Sequence, residues 1–157
     1  MSNTLDDYDL KLLHIIQRDA RIPQSELGEL VNLSTAAVNR RLKKLKAAGV
    51  ITKYTALLNP KALDLRLTII ANVEVENEQL HDLDATRKSF KNCPFIQQVY
   101  YVTGEWDFVL IFLVTDMEHY NTLTQTLFFD NNNIKRFKTL VSMSNDKTGV
   151  DLALLTP

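Results

Sequence analysis

Ser34-Thr35-Ala36-Ala37-Val38-Asn39-Arg40-Arg41-Leu42-Lys43-Lys44-Leu45-Lys46-Ala47-Ala48-Gly49 reads as one helix with two chemically opposite sides. At 100° per residue, Val38, Leu42 and Leu45 fall within about 60° of one another and face inward. Ala36, Arg40, Lys43, Lys44 and Ala47 cluster on the other side, with Ser34, Thr35 and Asn39 toward the N-terminal tip. Gly49 ends the helix. A helix that enters a major groove needs this combination: cations to meet flanking phosphates, and short side chains that let the tip approach base edges.

Upstream, Leu5, Leu12, Leu13 and Ile16 make the apolar stripe of a first helix, capped by Asp6 or Asp7. Pro23 suits the first turn of a second helix, with Leu27, Leu30 and Val31 on its buried side. Asn32 in the left-handed conformation closes that helix, and Ser34 caps the third after a turn of about three residues. Two helices joined by a tight turn, the second basic on its outside, form a helix-turn-helix. Downstream, Val50 to Pro60 is β-branched and aromatic-rich, and reads as a strand stopped by Pro60; as a wing it brings Lys53 near the phosphate backbone.

The charge distribution points the same way. The whole chain of 157 residues has a formal net charge of -1, which by itself argues against a polyanion partner. Residues 1–60, however, hold nine bases against six acids, and residues 61–157 hold nine against 13. No acid occurs between Glu29 and Asp64, an interval that contains Arg40, Arg41, Lys43, Lys44, Lys46, Lys53 and Lys61. Such asymmetry marks a polyanion-binding module joined to a different one.

Beyond residue 62 the pattern changes. Leu67, Ile69, Ala71, Val73 and Val75 alternate with Thr68, Ile70, Asn72, Glu74 and Glu76 in a strand with one apolar face. A helix follows over about Glu78 to Lys91, with Leu80, Leu83, Arg87 and Phe90 on one side and Cys93-Pro94 at its end. Phe95 to Val102 and Phe108 to Val114 are strands joined by the short connector Thr103-Gly104-Glu105-Trp106-Asp107, and the second is apolar on both sides and therefore central. Asp116 caps a second helix to about Phe129, with Tyr120, Leu123, Thr124 and Leu127 as its stripe, and after Asn131-Asn132-Asn133 a last strand spans Ile134 to Met143. Strand, helix, strand, strand, helix, strand is the ferredoxin-like order, and the fold class is α+β. One sheet face is left bare of helices, which favours a dimer through it. The predicted boundaries are 1–50 for the winged helix-turn-helix, 51–62 for the wing and linker strand, and 63–157 for the ferredoxin-like sensing and dimerisation domain.

Several functions are excluded by composition. One cysteine, Cys93, cannot make an internal disulfide or an all-Cys metal cage, and His14, His81 and His119 lie far apart without ligand spacing. No metal and no cofactor is expected. The acidic start MSNTLDDYD is unlike a signal peptide, and no apolar run approaches the roughly 18 residues needed to span a bilayer, so the expected compartment is cytoplasm, without a membrane partner. No nucleophile with a nearby base, Gly-rich phosphate loop or paired-carboxylate signature is present, and the chain is expected not to be an enzyme.

The chain resembles the Lrp/AsnC (feast/famine) family of bacterial and archaeal transcription factors over nearly its whole length. The matching stretches are Leu5-Asp6 with Asp9 and Leu12-Leu13, Asp19-Ala20-Arg21, Leu33-Ser34 with Val38, Arg41-Leu42 and Leu45, and Gly49-Val50-Ile51. They continue through Tyr54-Thr55-Ala56-Leu57-Leu58-Asn59-Pro60, Thr103-Gly104-Glu105-Trp106-Asp107-Phe108 and Asp116-Met117. The sequence departs from the family at Lys46, where a Glu is usual, and at Asn131–Asn133, in place of a Pro-Gly turn; asparagine tolerates the left-handed conformation such a turn uses. The resemblance implies dimers through the sheet domains, often assembled as four dimers that bend DNA and act at the nucleoid. It further implies a small effector, commonly an amino acid, held between sensing domains of neighbouring subunits.

The expected DNA-binding set is Ser34, Thr35, Ala36, Asn39, Arg40, Arg41, Lys43, Lys44 and Lys53. Ser34 serves equally as a helix cap, and Arg41, beside the buried stripe, suits a phosphate contact or a structural hydrogen bond. Lys44, Lys46 and Lys53 are expected to position phosphates, which adds affinity without reading sequence. The expected effector set is Tyr101, Thr103, Gly104, Asp107, Phe137 and Thr139, with Gly104 permitting close backbone approach, Asp107 meeting an ammonium group, and the others completing a pocket on adjacent strands. A plain turn is the other reading of that connector. The function expected is a sequence-specific regulator of double-stranded DNA modulated by its effector. A ligand-sensing assembly protein or small enzyme, with the winged helix as a protein contact, is the alternative.

Overall fold

The computed structural model describes residues 5–154, so the first four residues of the predicted acidic start and the last three of the predicted second domain lie outside it. Two compact units form. One holds the chain up to Leu57 together with the segment from Thr148; the other is Leu58–Lys147. The split differs from the predicted boundaries at its far end, where residues 148–154 belong with the helix-turn-helix. The Gln17 side-chain amide donates to the Leu152 carbonyl at 3.1 Å and accepts from its N–H at 3.0 Å, a long-range pairing that leaves no local periodicity to read.

In the first unit, helices α1 (Asp7–Ile16), α2 (Gln24–Val31) and α3 (Thr35–Ala47) enclose a core of Leu12, Ile16, Leu27, Val31, Val38, Leu45 and Ile51. Asp6 caps α1: it accepts from the Asp9 N–H at 2.9 Å, while Asp9 reaches back to the Asp6 N–H at 3.4 Å. Such a capping box is worth about 1 kcal/mol. Asn32 closes α2 at φ 57°, and Ser34 caps α3 by accepting from the Ala37 N–H at 3.3 Å. Leu30 is not buried as expected but 58% exposed, because the inner side of this short helix is taken by Leu27, Gly28 and Val31. The expected wing strand does not form. Only Ile51 of that run packs into the core, the stretch 52–59 is irregular, and Pro60 opens a 3-10 turn (Pro60–Leu63). Strand propensity is fulfilled only against a neighbouring strand, and the first unit has none among the described residues.

The second unit is a four-stranded antiparallel sheet of β1 (Leu67–Val75), β2 (Ile96–Tyr101), β3 (Phe108–Val114) and β4 (Ile134–Val141) in the order β2-β3-β1-β4. Helices α4 (Leu80–Asn92) and α5 (Met117–Thr124), the latter prolonged by a π turn (Gln125–Phe129), connect the strands in the ferredoxin-like βαββαβ order. Phe90, Phe108, Phe112 and Phe128 meet edge to face between sheet and helices. Leu80 is 81% exposed rather than inward; Thr86 holds the inner position with Leu83 and Phe90. Asn131–Asn133 do not use the left-handed conformation. Instead Asn133 donates its side-chain amide to Thr86 at 3.2 Å and accepts from the Asn77 N–H at 2.9 Å, so the turn is held by side chains.

Candidate DNA-binding and ligand sites

The outer face of α3 begins with Ser34, Thr35 and Ala36, all exposed, followed by half-buried Asn39 and exposed Arg40, Lys43 and Lys44. Among the described residues none of Arg40, Lys43, Lys44, Lys46 or Lys53 has an acidic partner, although the Lys46 ammonium lies 5.7 Å from the centre of the Tyr54 ring. Arg41 is different. Its Nη1 donates to Asp6 at 2.8 Å and to Asp9 at 2.7 Å, and its guanidinium lies 5.3 Å from the Tyr8 ring centre. Of the two roles expected for Arg41, the structure shows the structural hydrogen bond, which gives the buried Asp9 carboxylate the cation it needs. The Asp9 N–H, helped by Arg41, holds the Asp6 carboxyl below the usual carboxylate range, and the two acids push the Arg41 guanidinium further up.

The connector of the second unit is anchored rather than loose. Asp107 donates its N–H to the Val73 carbonyl at 2.9 Å, and its Oδ2 accepts from the Val75 N–H at 2.8 Å. Its other oxygen has no protein donor among the described residues. Gly104 sits at φ 131°, a conformation that a side chain disfavours, with open space where a Cβ would project. Of the remaining expected effector residues, Tyr101 adjoins the connector, and Phe137 and Thr139 do not. Tyr101 lies on β2, beside Phe108 and 5.2 Å from the Arg87 guanidinium, whereas Phe137 and Thr139 lie on β4 at the opposite edge of the sheet. Three strand spacings, about 14 Å, separate the two edges, so Tyr101 and the pair Phe137 and Thr139 are not on adjacent strands as expected. Phe137 packs on Phe128 and Phe129, and the Thr139 hydroxyl meets the Tyr120 hydroxyl at 2.8 Å.

A family model for winged helix-turn-helix DNA-binding domains matches residues 5–52, and one for the Lrp/AsnC ligand binding domain matches residues 68–151. The chain belongs to the Lrp/AsnC family. An HTH-type transcriptional regulator of Sinorhizobium fredii is 39% identical over 143 residues, spanning 91% of this chain and 85% of that one. The leucine-responsive regulatory protein of Haemophilus influenzae is 30% identical over 146 residues, spanning 93% and 88%. The crystal structure of a transcriptional regulator from Neisseria meningitidis in complex with L-Met is 28% identical, covers 97% of this chain and 98% of its own, and superposes with a TM-score of 0.91.

This Lrp/AsnC protein is therefore a transcriptional regulator with a DNA-binding helix-turn-helix and a ligand-binding domain. Among the described residues no helix is long and apolar enough to cross a membrane. Two residues that shape the candidate sites of this Lrp/AsnC protein escaped the sequence reading. Gly28 lets α2 abut the backbone of the turn before α3; a glycine inside a helical pattern was its only signal. Arg136 binds the connector through Glu105 and Trp106, a contact between distant segments that no local pattern announces.

Proposed function

We propose that an amino acid is the effector of this regulator, and that its binding shifts either the affinity for double-stranded DNA or the assembly of the protein. The DNA-reading surface is the outer face of α3, with Ser34, Thr35, Ala36 and Asn39 toward base edges and Arg40, Lys43, Lys44 and Lys53 toward phosphates. The observation that carries this reading is the charge state of α3: among the described residues its outward cations lack acidic partners, while Arg41 has two. Replacing Arg40 by alanine is expected to weaken operator binding and to flatten the plot of log K against log salt by about one unit. Fluorescence anisotropy on operator DNA between low and moderate salt measures both, and an unaltered slope removes Arg40 from the phosphate contacts.

The effector reading is supported by the anchored connector and by the L-Met complex of the Neisseria relative. Thr103, Gly104 and Asp107, with Tyr101 beside them, form one half of the site. Phe137 and Thr139, on the edge strand opposite Tyr101, reach the ligand of a second copy, so binding and assembly are coupled. Copies pair through the bare sheet face, where Ile70, Ile111 and Leu140 share a cross-strand row, and four such dimers make up the octamer, in the cytoplasm at the nucleoid. Asp107→Asn is the informative variant, since its amide oxygen still accepts from the Val75 N–H while the charge is gone. Calorimetric titration with the twenty amino acids is expected to give heat with wild type and at least about tenfold weaker binding with Asp107→Asn. Equal heats exclude Asp107 as the ammonium partner.

A further inference from the structure

The register of β1 against β4 slips at Glu74/Val75, so that both Lys135 and Arg136 turn to the same acid, Glu74. Bulges commonly re-aim a side chain near a functional site. Here the result is an arginine held at one end and open at the other. Its Nε is bound to Glu74, whose second oxygen takes Lys135 at 2.6 Å. Its guanidinium carbon lies 4.5 Å from the centre of the Trp106 ring, which forms an aromatic floor. Among the described residues the terminal Nη edge meets only Glu105, through one long contact of 3.3 Å between side chains that are 53% and 67% exposed. An exposed, single-point ion pair of this kind is easily exchanged.

We infer that Arg136 receives the carboxylate of the effector, which displaces Glu105 from the Nη edge while Glu74 and Trp106 keep the guanidinium in place. The two parallel N–H groups of that edge match a carboxylate, and Glu105 and Trp106 belong to the connector already assigned to the effector, so the inference rests on that assignment. Arg136 then supplies the cation that Asp107 and Gly104 lack. Glu105 is a competitor that occupies the Nη edge of Arg136 in the empty site. A small molecule without a carboxylate meets no equivalent partner there.

Trp106 is the only tryptophan in the chain, so its emission reports directly on this guanidinium. The test is a fluorescence titration of the full chain with L-methionine and with L-methionine amide, which keeps the ammonium group but not the carboxylate. Wild type is expected to bind the acid at least about tenfold more tightly than the amide. Arg136→Gln removes that preference, Arg136→Lys restores part of it, and Glu105→Gln tightens the acid several-fold without changing the amide. Arg136→Gln weakening acid and amide equally overturns the inference, leaving Arg136 as a brace of the connector. If another amino acid gives the calorimetric response, that acid and its amide replace methionine. A wild type that answers none of the twenty by heat or emission defeats the amino-acid reading and this inference together, whereas an acid preference that survives in Arg136→Gln defeats this inference alone.

Discussion

Gly28→Ala is expected to unseat the recognition helix. A Cβ at this position would stand 2.4 Å from the Leu33 carbonyl oxygen, a backbone atom that cannot swing aside. The same carbonyl belongs to the turn between α2 and α3, where the Leu33 N–H donates to the Gly28 carbonyl at 2.9 Å. Alanine in a helix interior ordinarily gains about 1 kcal/mol over glycine. Here that gain is outweighed by overpacking, and the first unit is expected to lose about 1–3 kcal/mol. The clash is relieved only if α3 moves away from α2, so operator affinity is expected to fall by about tenfold or more, because base contacts depend on the pose of the helix tip. Urea unfolding followed by circular dichroism gives the first quantity and anisotropy on operator DNA the second. Effector binding, carried by the second unit, is expected to stay within about twofold. A Gly28→Ala protein as stable as wild type with full operator affinity would show that the turn between α2 and α3 yields to the added methyl group.

Local chemistry made most of the fold legible. The 3.6-residue stripe of α3 identified Val38 and Leu45 as core, and alternation identified the inner row Ile69, Ala71, Val73 and Val75 of β1. Periodicity misled where an apolar residue lies near the end of a helix with nothing opposite it, as at Leu30 and Leu80. The run after Gly49 misled in another way, since β-branched composition signals a strand only when a partner strand is at hand. The candidate DNA face was readable because it is one helix. The candidate ligand site was less so, because strand order is a tertiary fact: Tyr101 and Phe137 both lie on the helix side of the sheet, and only the order β2-β3-β1-β4 reveals that they stand at opposite edges. Gln17 with Leu152, and Arg136 with Trp106, are joined across more than 100 and about 30 residues, distances over which pattern reading has no purchase.

The Arg41–Asp9 pair separates a structural cation from a DNA-binding one. Arg41→Ala is expected to lower the stability of the first unit by about 2–4 kcal/mol, well above the roughly 0–1 kcal/mol of an exposed pair. The reason is Asp9, whose side chain is 4% exposed and would keep only the long bond from the Asp6 N–H. The double variant Asp9→Leu/Arg41→Leu removes both charges and is expected to recover most of the loss, since the cost lies in leaving one buried charge alone. Acid sensitivity follows from Asp6. Its folded-state value lies below its unfolded value near 4, so its contribution is present above about pH 4 and is lost as pH falls through the lowered value. Without Arg41 the depression shrinks, although the Asp9 N–H bond persists, so Arg41→Ala is expected to lose less stability than wild type as pH falls below about 4, and the stability gap between the two narrows. At a temperature where both variants are folded, Arg41→Ala should keep the wild-type slope of log K against log salt, because its guanidinium is already spent on Asp6 and Asp9. Arg40→Ala should not. A slope that falls equally in both variants would return Arg41 to the phosphate contacts.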